Sequence, residues 1–264
     1  MRVAAVNGVR IHHRLDGPEG GLPVVLAGSL GTDLRVWDAL LPLLPPGLRV
    51  LRPDMRGHGL SDAPPGPYGM GDLVGDLAGL MEHLGLRGAL VVGLSIGGVV
   101  AQGLAAERPG LARALVLVCT AAKIGAPETW EARIAQVRRE GIEGIADGVI
   151  ERWFSRRFRA ERTDELAGWR HMLTRTPREG YLGCCAALAA ADLRKAATRL
   201  SLPVLAVAGE EDGSTPPDLV EATARRIPGA RFEVLAGAGH IPPVEAPEAL
   251  AGLIGGFMEE HGLG

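Results

Sequence analysis

The hydrophobic positions of this 264-residue chain change period several times, and the changes divide it into elements. Arg2–Val6 and Val9–Leu15 alternate apolar and polar residues, and the Asn7-Gly8 pair between them is a hairpin turn signal. PVVLA at Pro23–Ala27 is a continuous apolar run, the pattern of a strand buried on both faces. Helical spacing follows over Val36–Leu44, then a strand at Leu48–Arg52 and the turn-rich DMRGHGLSD from Asp54 to Asp62. Asp72–Leu84 reads as helix, Ala89–Val92 as strand, Ile96–Glu107 as a helix stopped near Pro109, and Ala114–Val118 as another buried strand. Repeated strand–helix alternation after an antiparallel hairpin predicts an α/β fold, with a mostly parallel sheet flanked by helices.

Between residues 122 and 191 the alternation stops. EARIAQVRRE, IADGVIERWF and ELAGWRHML read as successive short amphipathic helices with no convincing buried strand among them. The rhythm returns at Pro203–Ala208 and Arg231–Leu235, and a last helix covers Pro247–Glu260. The expected organisation is a core of residues 1–121 and 192–264, interrupted by a helical cap inserted at 122–191.

Composition narrows the classes. No apolar run is long enough to cross a bilayer, and the N-terminal MRVAAVNGVRIHHRL breaks at Asn-Gly, unlike a secretory signal. A formal net charge of −3 gives no electrostatic case for nucleic acid or membrane partners. The cap carries twelve Lys/Arg against ten Asp/Glu, a weak hint that it meets an anion. Cys119, Cys184 and Cys185 form neither a disulfide framework nor a metal-ligand spacing, so a soluble, cytoplasmic protein with reduced thiols is expected.

Candidate chemistry centres on VVGLSIGG, Val91–Gly98. Ser95 closes a strand and opens a helix, with Gly93 two residues before it and Gly97 two after. A nucleophile on such a turn needs a strained backbone, and flanking side chains would collide; small residues relieve the crowding. The bland alternative is a helix N-cap. A serine hydroxyl also needs a base, and that base an orienting acid. His240, in GAGHIPPVEAP, is the expected base, with His58 of RGHG its rival; His12, His13, His83, His171 and His261 have packing or solvated roles by default. GEEDGSTPP offers Glu210, Glu211 and Asp212, of which Asp212 is the expected acid and Glu211 the substitute; Asp54 reads as a loop organiser. The expected oxyanion donors are the N–H groups of Ile96 and Leu30.

With these residues the chain resembles an α/β-hydrolase bearing a helical cap, and among such enzymes it resembles the 3-oxoadipate enol-lactonases. SLGTDLRVWD, PDMRGHGLSDAPPGPY, CTAAKIGAPETWEARI, ERWF and TPREGYLGCCAAL carry the likeness. It departs at Gly28, where that family tends to have Asn, and in GHIPPVE, where the family form is closer to AHLSNVE. The resemblance implies a Ser95–Asp212–His240 triad and acyl transfer without metal or organic cofactor. The implied substrate is a small lactone with an acetate arm, opened in aromatic-compound catabolism through the β-ketoadipate pathway. A charged arm entering an apolar pocket needs cations or donors, for which Arg133, Trp153 and Lys123 are the candidates. The alternatives are another capped hydrolase (a carboxylesterase, a C–C bond hydrolase or a perhydrolase) and a non-catalytic binding protein on the same scaffold.

Overall fold

Asn7 and Gly8 have φ of 48° and 80°, the left-handed pair that a two-residue hairpin turn requires. They join β1 (Arg2–Val6) to β2 (Val9–Asp16). The computed structural model describes residues 1–263, and six further strands complete the sheet. These are β3 (Leu22–Ala27), β4 (Leu48–Pro53), β5 (Ala89–Leu94), β6 (Ala112–Val118), β7 (Val204–Gly209) and β8 (Arg231–Leu235). The order is β1-β2-β4-β3-β5-β6-β7-β8. β1 and β2, and β2 and β4, pair antiparallel, and every later pair is parallel. The continuous apolar runs explain the middle of the sheet. Every residue of β5 and β7 is buried, whereas β1 and β8 at the edges keep exposed positions.

Helices α1 (Met70–His83) and α2 (Ile96–Glu107) pack on each other beside the sheet. Between β6 and β7 the chain runs through α3 (Pro127–Glu140), α4 (Glu143–Trp153), α5 (Arg156–Glu161), α6 (Thr163–Thr174) and α7 (Arg178–Ala190). α3 packs on α7 and α4, α4 on α6, and α7 reaches α1, so this insertion caps the core. After the short α8 (Arg194–Ala197), the chain returns through α9 (Pro217–Ala224), α10 (Pro242–Glu245) and α11 (Pro247–Glu260).

One expected helix is replaced. In place of a helix over Val36–Leu44 there are two 3-10 turns, Leu34–Trp37 and Leu41–Leu43. Pro42 has no N–H to continue an α-helical ladder, and Asp33 caps the first turn by accepting from Arg35 N–H. The register then places the chemistry. Ala27 pairs with Gly93, so the loop after β3 lies beside the end of β5; Gly209 pairs with Leu235, so the loops after β7 and β8 emerge together. All four loops leave the carboxyl ends of parallel strands, where α/β sheets hold their ligands.

Candidate active site

Ser95 has φ 55° and ψ −119°, a strained conformation for a residue with a side chain. Its side chain caps no helical N–H, so the N-cap alternative does not hold. The neighbouring glycines are sterically required. A Cβ on Gly93 would come within 2.5 Å of the Gly97 carbonyl oxygen, one on Gly97 would run into the Ala27 carbonyl, and one on Gly98 into Thr120. Hydrogen bonds to the Ser95 backbone fix the turn: Ser95 N–H donates to Val118 O at 3.0 Å, and the Thr120 hydroxyl donates to Ser95 O at 2.6 Å. Thr120 carries no recognisable signal in the sequence.

Ser95 and His240 line one cavity of about 290 Å³, between the sheet's carboxyl edge and the cap. His240 Nδ1 is 2.8 Å from Asp212 Oδ2, with both side chains buried. Asp212 is in turn held by Ser214 N–H at 2.7 Å, Thr215 N–H at 3.0 Å and Thr215 Oγ1 at 2.7 Å. Burial pushes the Asp212 carboxyl up, but the His240 ring and the Thr215 donors outweigh it, and the group lies below the ordinary carboxylate range. An ionised acid orients the imidazole with its proton on Nδ1, leaving Nε2 to act as acceptor.

The other acids of the loop face elsewhere. Glu211 accepts from Arg156 N–H at 3.0 Å and Glu210 from Gly237 N–H at 2.8 Å. The rival histidine has a different role. His58 is fully buried, its Nδ1 is 3.2 Å from Arg56 O, and its Nε2 accepts from Gly31 N–H at 2.9 Å. It therefore braces the loop after β3. Thr32 closes the same loop from within, donating Oγ1 to Ser29 O at 2.9 Å and accepting from Ser29 N–H at 3.1 Å. Among the described residues no acceptor takes the N–H of Leu30 or of Ile96. Leu30 lines the same cavity as Ser95 and Ile96 follows it in the chain, so both unused donors are candidates for an oxyanion hole. Asp54 accepts from Leu34 N–H, Leu60 N–H and His12 Nδ1, which fits a loop organiser.

The cap wall contains Trp130, Arg133, Arg152, Trp153 and Tyr181. Arg133 lies over the Trp130 ring, 5.6 Å from its centroid, and donates to Tyr181 Oη at 3.4 Å. Trp153 is buried, and its carbonyl accepts His240 N–H at 2.7 Å. Glu245 clamps the same junction, accepting Ser155 N–H at 3.0 Å and Gly239 N–H at 2.9 Å. Lys123 does not join this wall. Its Nζ is 3.8 Å from Asp192 Oδ2, outside the cavity.

Cys119, Asp212 and His240 present potential metal-ligating atoms within 4.8 Å of one another. The group suits an ion poorly. Burial raises the Cys119 thiol well above its usual range, and Asp212 already spends its lone pairs on His240, Ser214 and Thr215. A hydroxyl and an oriented imidazole on one cavity, with two free N–H donors, are instead the parts that acyl transfer requires.

The alpha/beta hydrolase fold family matches residues 23–247. 3-Oxoadipate enol-lactonase 2 of Acinetobacter baylyi is 36% identical over 226 residues, covering 86% of this chain and 84% of its own. The enol-lactonase from Burkholderia xenovorans LB400 superimposes with a TM-score of 0.94 at 39% identity, covering 98% of this chain and all (100%) of that one. A thermophilic esterase from Thermogutta terrifontis, solved with malate bound, has a TM-score of 0.92 at 32% identity, covering 98% of this chain and 99% of its own. The chain therefore belongs to the alpha/beta hydrolase fold family, is related over most of its length to 3-oxoadipate enol-lactonases, and is an enzyme of the carboxylic ester hydrolase class.

Proposed function

We propose that this enzyme opens the 3-oxoadipate enol-lactone to 3-oxoadipate by way of a Ser95 acyl-enzyme, within bacterial breakdown of aromatic compounds. One observation carries the reading: a single cavity has Ser95 and His240 on its core side and Arg133, without a carboxylate partner among the described residues, on its cap side. The enol-lactonase relatives support the same substrate, and the esterase neighbour solved with malate shows a dicarboxylate bound to a protein of this shape.

In this mechanism His240 takes the Ser95 proton as Oγ attacks the lactone carbonyl. Asp212, held ionised, stabilises the imidazolium that forms. The oxygen that becomes negative is received by the N–H groups of Leu30 and Ile96. The ring C–O bond breaks with the enol oxygen as leaving group, protonated by His240. Because that oxygen stays tethered to the acyl chain, conversion to the ketone removes a nucleophile that would reclose the ring. Water, deprotonated by His240, then releases the acid and restores Ser95.

The acetate arm carries a charge that is costly to bury unpaired, and Arg133 can hold it through charge-assisted hydrogen bonds, with Trp153 against the ring. The test is kcat/KM for the enol-lactone and for p-nitrophenyl acetate, in the wild type and in Arg133→Ala. The lactone should be strongly preferred, and the substitution should cut that preference about tenfold to a hundredfold, the worth of a charge-assisted contact. Rapid ester hydrolysis without lactone turnover would assign the protein to the carboxylesterases instead.

A further inference from the structure

Arg133 has a neighbour on the cap wall. Arg152, one residue from the end of α4, lines the same cavity and is likewise only partly exposed. Among the described residues neither guanidinium has a carboxylate partner. Other arginines on these helices do: Arg139 pairs with Glu140, Arg156 with Glu211 and Arg159 with Glu151. Two unpaired like charges in a partly dry cavity repel each other and lose solvation, so the arrangement is satisfied only when an anion enters.

The third member is Tyr181 of α7. Its hydroxyl oxygen accepts from Arg133 at 3.4 Å, and among the described residues nothing accepts its own proton. Burial pushes this hydroxyl up to about 12 although both arginines act to lower it, so it remains a protonated donor. Burial and the charge of Arg133 both hold Arg152 below its ordinary value, consistent with two cations in one electrostatic environment.

Arg152 is also fixed relative to the chemistry. Its carbonyl accepts Gly213 N–H at 3.2 Å, beside the acid. Its stem lies against Gly213, where a Cβ would come 3.2 Å from Arg152 Cγ.

We propose that Arg133, Arg152 and Tyr181 form one carboxylate-binding subsite, with Arg152 the specificity-determining member that completes it. Resting on the substrate reading above, the subsite holds the charged arm at the cap while the lactone carbonyl meets Ser95. A linear dicarboxylate spans the same two points, one end at the arginines and the other at the Leu30 and Ile96 donors, so the product competes with substrate.

The test uses Arg152→Met, which keeps an apolar stem and removes the charge, and Arg152→Lys, which returns a charge. Matched probes are mono-p-nitrophenyl adipate, an anionic ester, and p-nitrophenyl hexanoate, its neutral counterpart, with adipate as competitive inhibitor. In Arg152→Met the anionic-to-neutral ratio of kcat/KM should fall about tenfold, mostly through KM, and the adipate Ki should rise by a similar factor. Arg152→Lys should recover part of both. Should Arg152→Met fail to fold, Tyr181→Phe reads the same subsite, and the ratio should fall in it too. An unchanged ratio and Ki in a folded variant overturn the proposal. If the wild type ignores the enol-lactone yet loses its charged-ester preference in Arg152→Met, the subsite stands and the substrate reading falls. If the lactone is turned over and the preference survives, the subsite falls alone.

Discussion

On the core wall of the cavity, Ser95, Leu30 and His240 are placed by the backbone: strand ends in register, a positive φ, and glycines pressed against carbonyls. On the cap wall, Arg133, Arg152 and Tyr181 are placed by the packing of three helices, with side chains that reach rather than fit. The core wall tolerates almost no change of shape, because the backbone carbonyls leave no room for a methyl group at Gly93 or Gly97. The cap wall fixes charge more than shape. On the proposed reading the core sets the chemistry, and the cap sets the choice of substrate.

The largest expected effect is on the core wall. Asp212→Asn keeps the shape of the carboxylate but removes the charge that stabilises an imidazolium, and kcat should fall on the order of 10⁴-fold. Glu211→Gln, which alters only the contacts with the Arg156 N–H and its guanidinium, should keep most of the activity. Steady-state assays of both variants locate the acid, and a reversed order would move it to Glu211.

His58 gives an intermediate effect. Removing the Gly31 N–H acceptor in His58→Ala should loosen the Leu30 peptide and lower kcat by about tenfold to a hundredfold, while the cap's preference for anionic substrates persists. Burial is the main cause holding this imidazole below its usual value, so it is neutral in the folded protein. Since the unfolded chain binds the proton more readily, the stabilisation is present above about pH 6.5 and is lost as pH falls through the folded value. His58→Gln retains an acceptor and cannot titrate, so its denaturation midpoint should fall less than that of the wild type between about pH 7.5 and about pH 5. Parallel pH curves for the two proteins would remove His58 from the acid response.

The smallest effect concerns Gly28, one of the two points where the sequence departs from the enol-lactonase pattern. Trp37 Nε1 is buried without a partner among the described residues, and it lies 3.9 Å from where a Gly28 Cβ would stand. Gly28 also borders a cavity of about 40 Å³. Gly28→Asn should let the new amide oxygen accept the indole N–H, stabilising the fold by about 1 kcal/mol and raising Tm by roughly 2–4 °C. A lowered Tm would show that the space is too small.

The contrast between the walls also explains what could be read from the chain. The elbow forces a local pattern, glycine two residues either side of the serine, because its constraint is steric and lies within a few residues. The loops bearing Asp212 and His240 follow runs whose burial is visible as uninterrupted hydrophobicity. Arg152 of α4 and Tyr181 of α7 line one cavity, and helical periodicity carries no record of which residues share a cavity. Thr120, Thr215 and Glu245 act through hydrogen bonds to residues distant in the chain or to loop backbone, which leave no spacing behind. Lys123 looked like Arg133 in sequence, a cation near the cap entrance, but Asp192 lies beside it. The Val36–Leu44 period was real, with Val36, Trp37 and Leu40 all buried, yet Pro42 breaks the ladder such a helix needs.

The central claim is that Ser95 forms the covalent intermediate. The direct measurement is intact and peptide mass spectrometry of enzyme mixed with excess enol-lactone and acid-quenched within milliseconds. The account predicts an adduct of the whole acyl chain on the peptide containing Ser95, absent from a folded Ser95→Ala protein that also lacks turnover. Near-wild-type hydrolysis by Ser95→Ala, or an adduct on another residue, would contradict it.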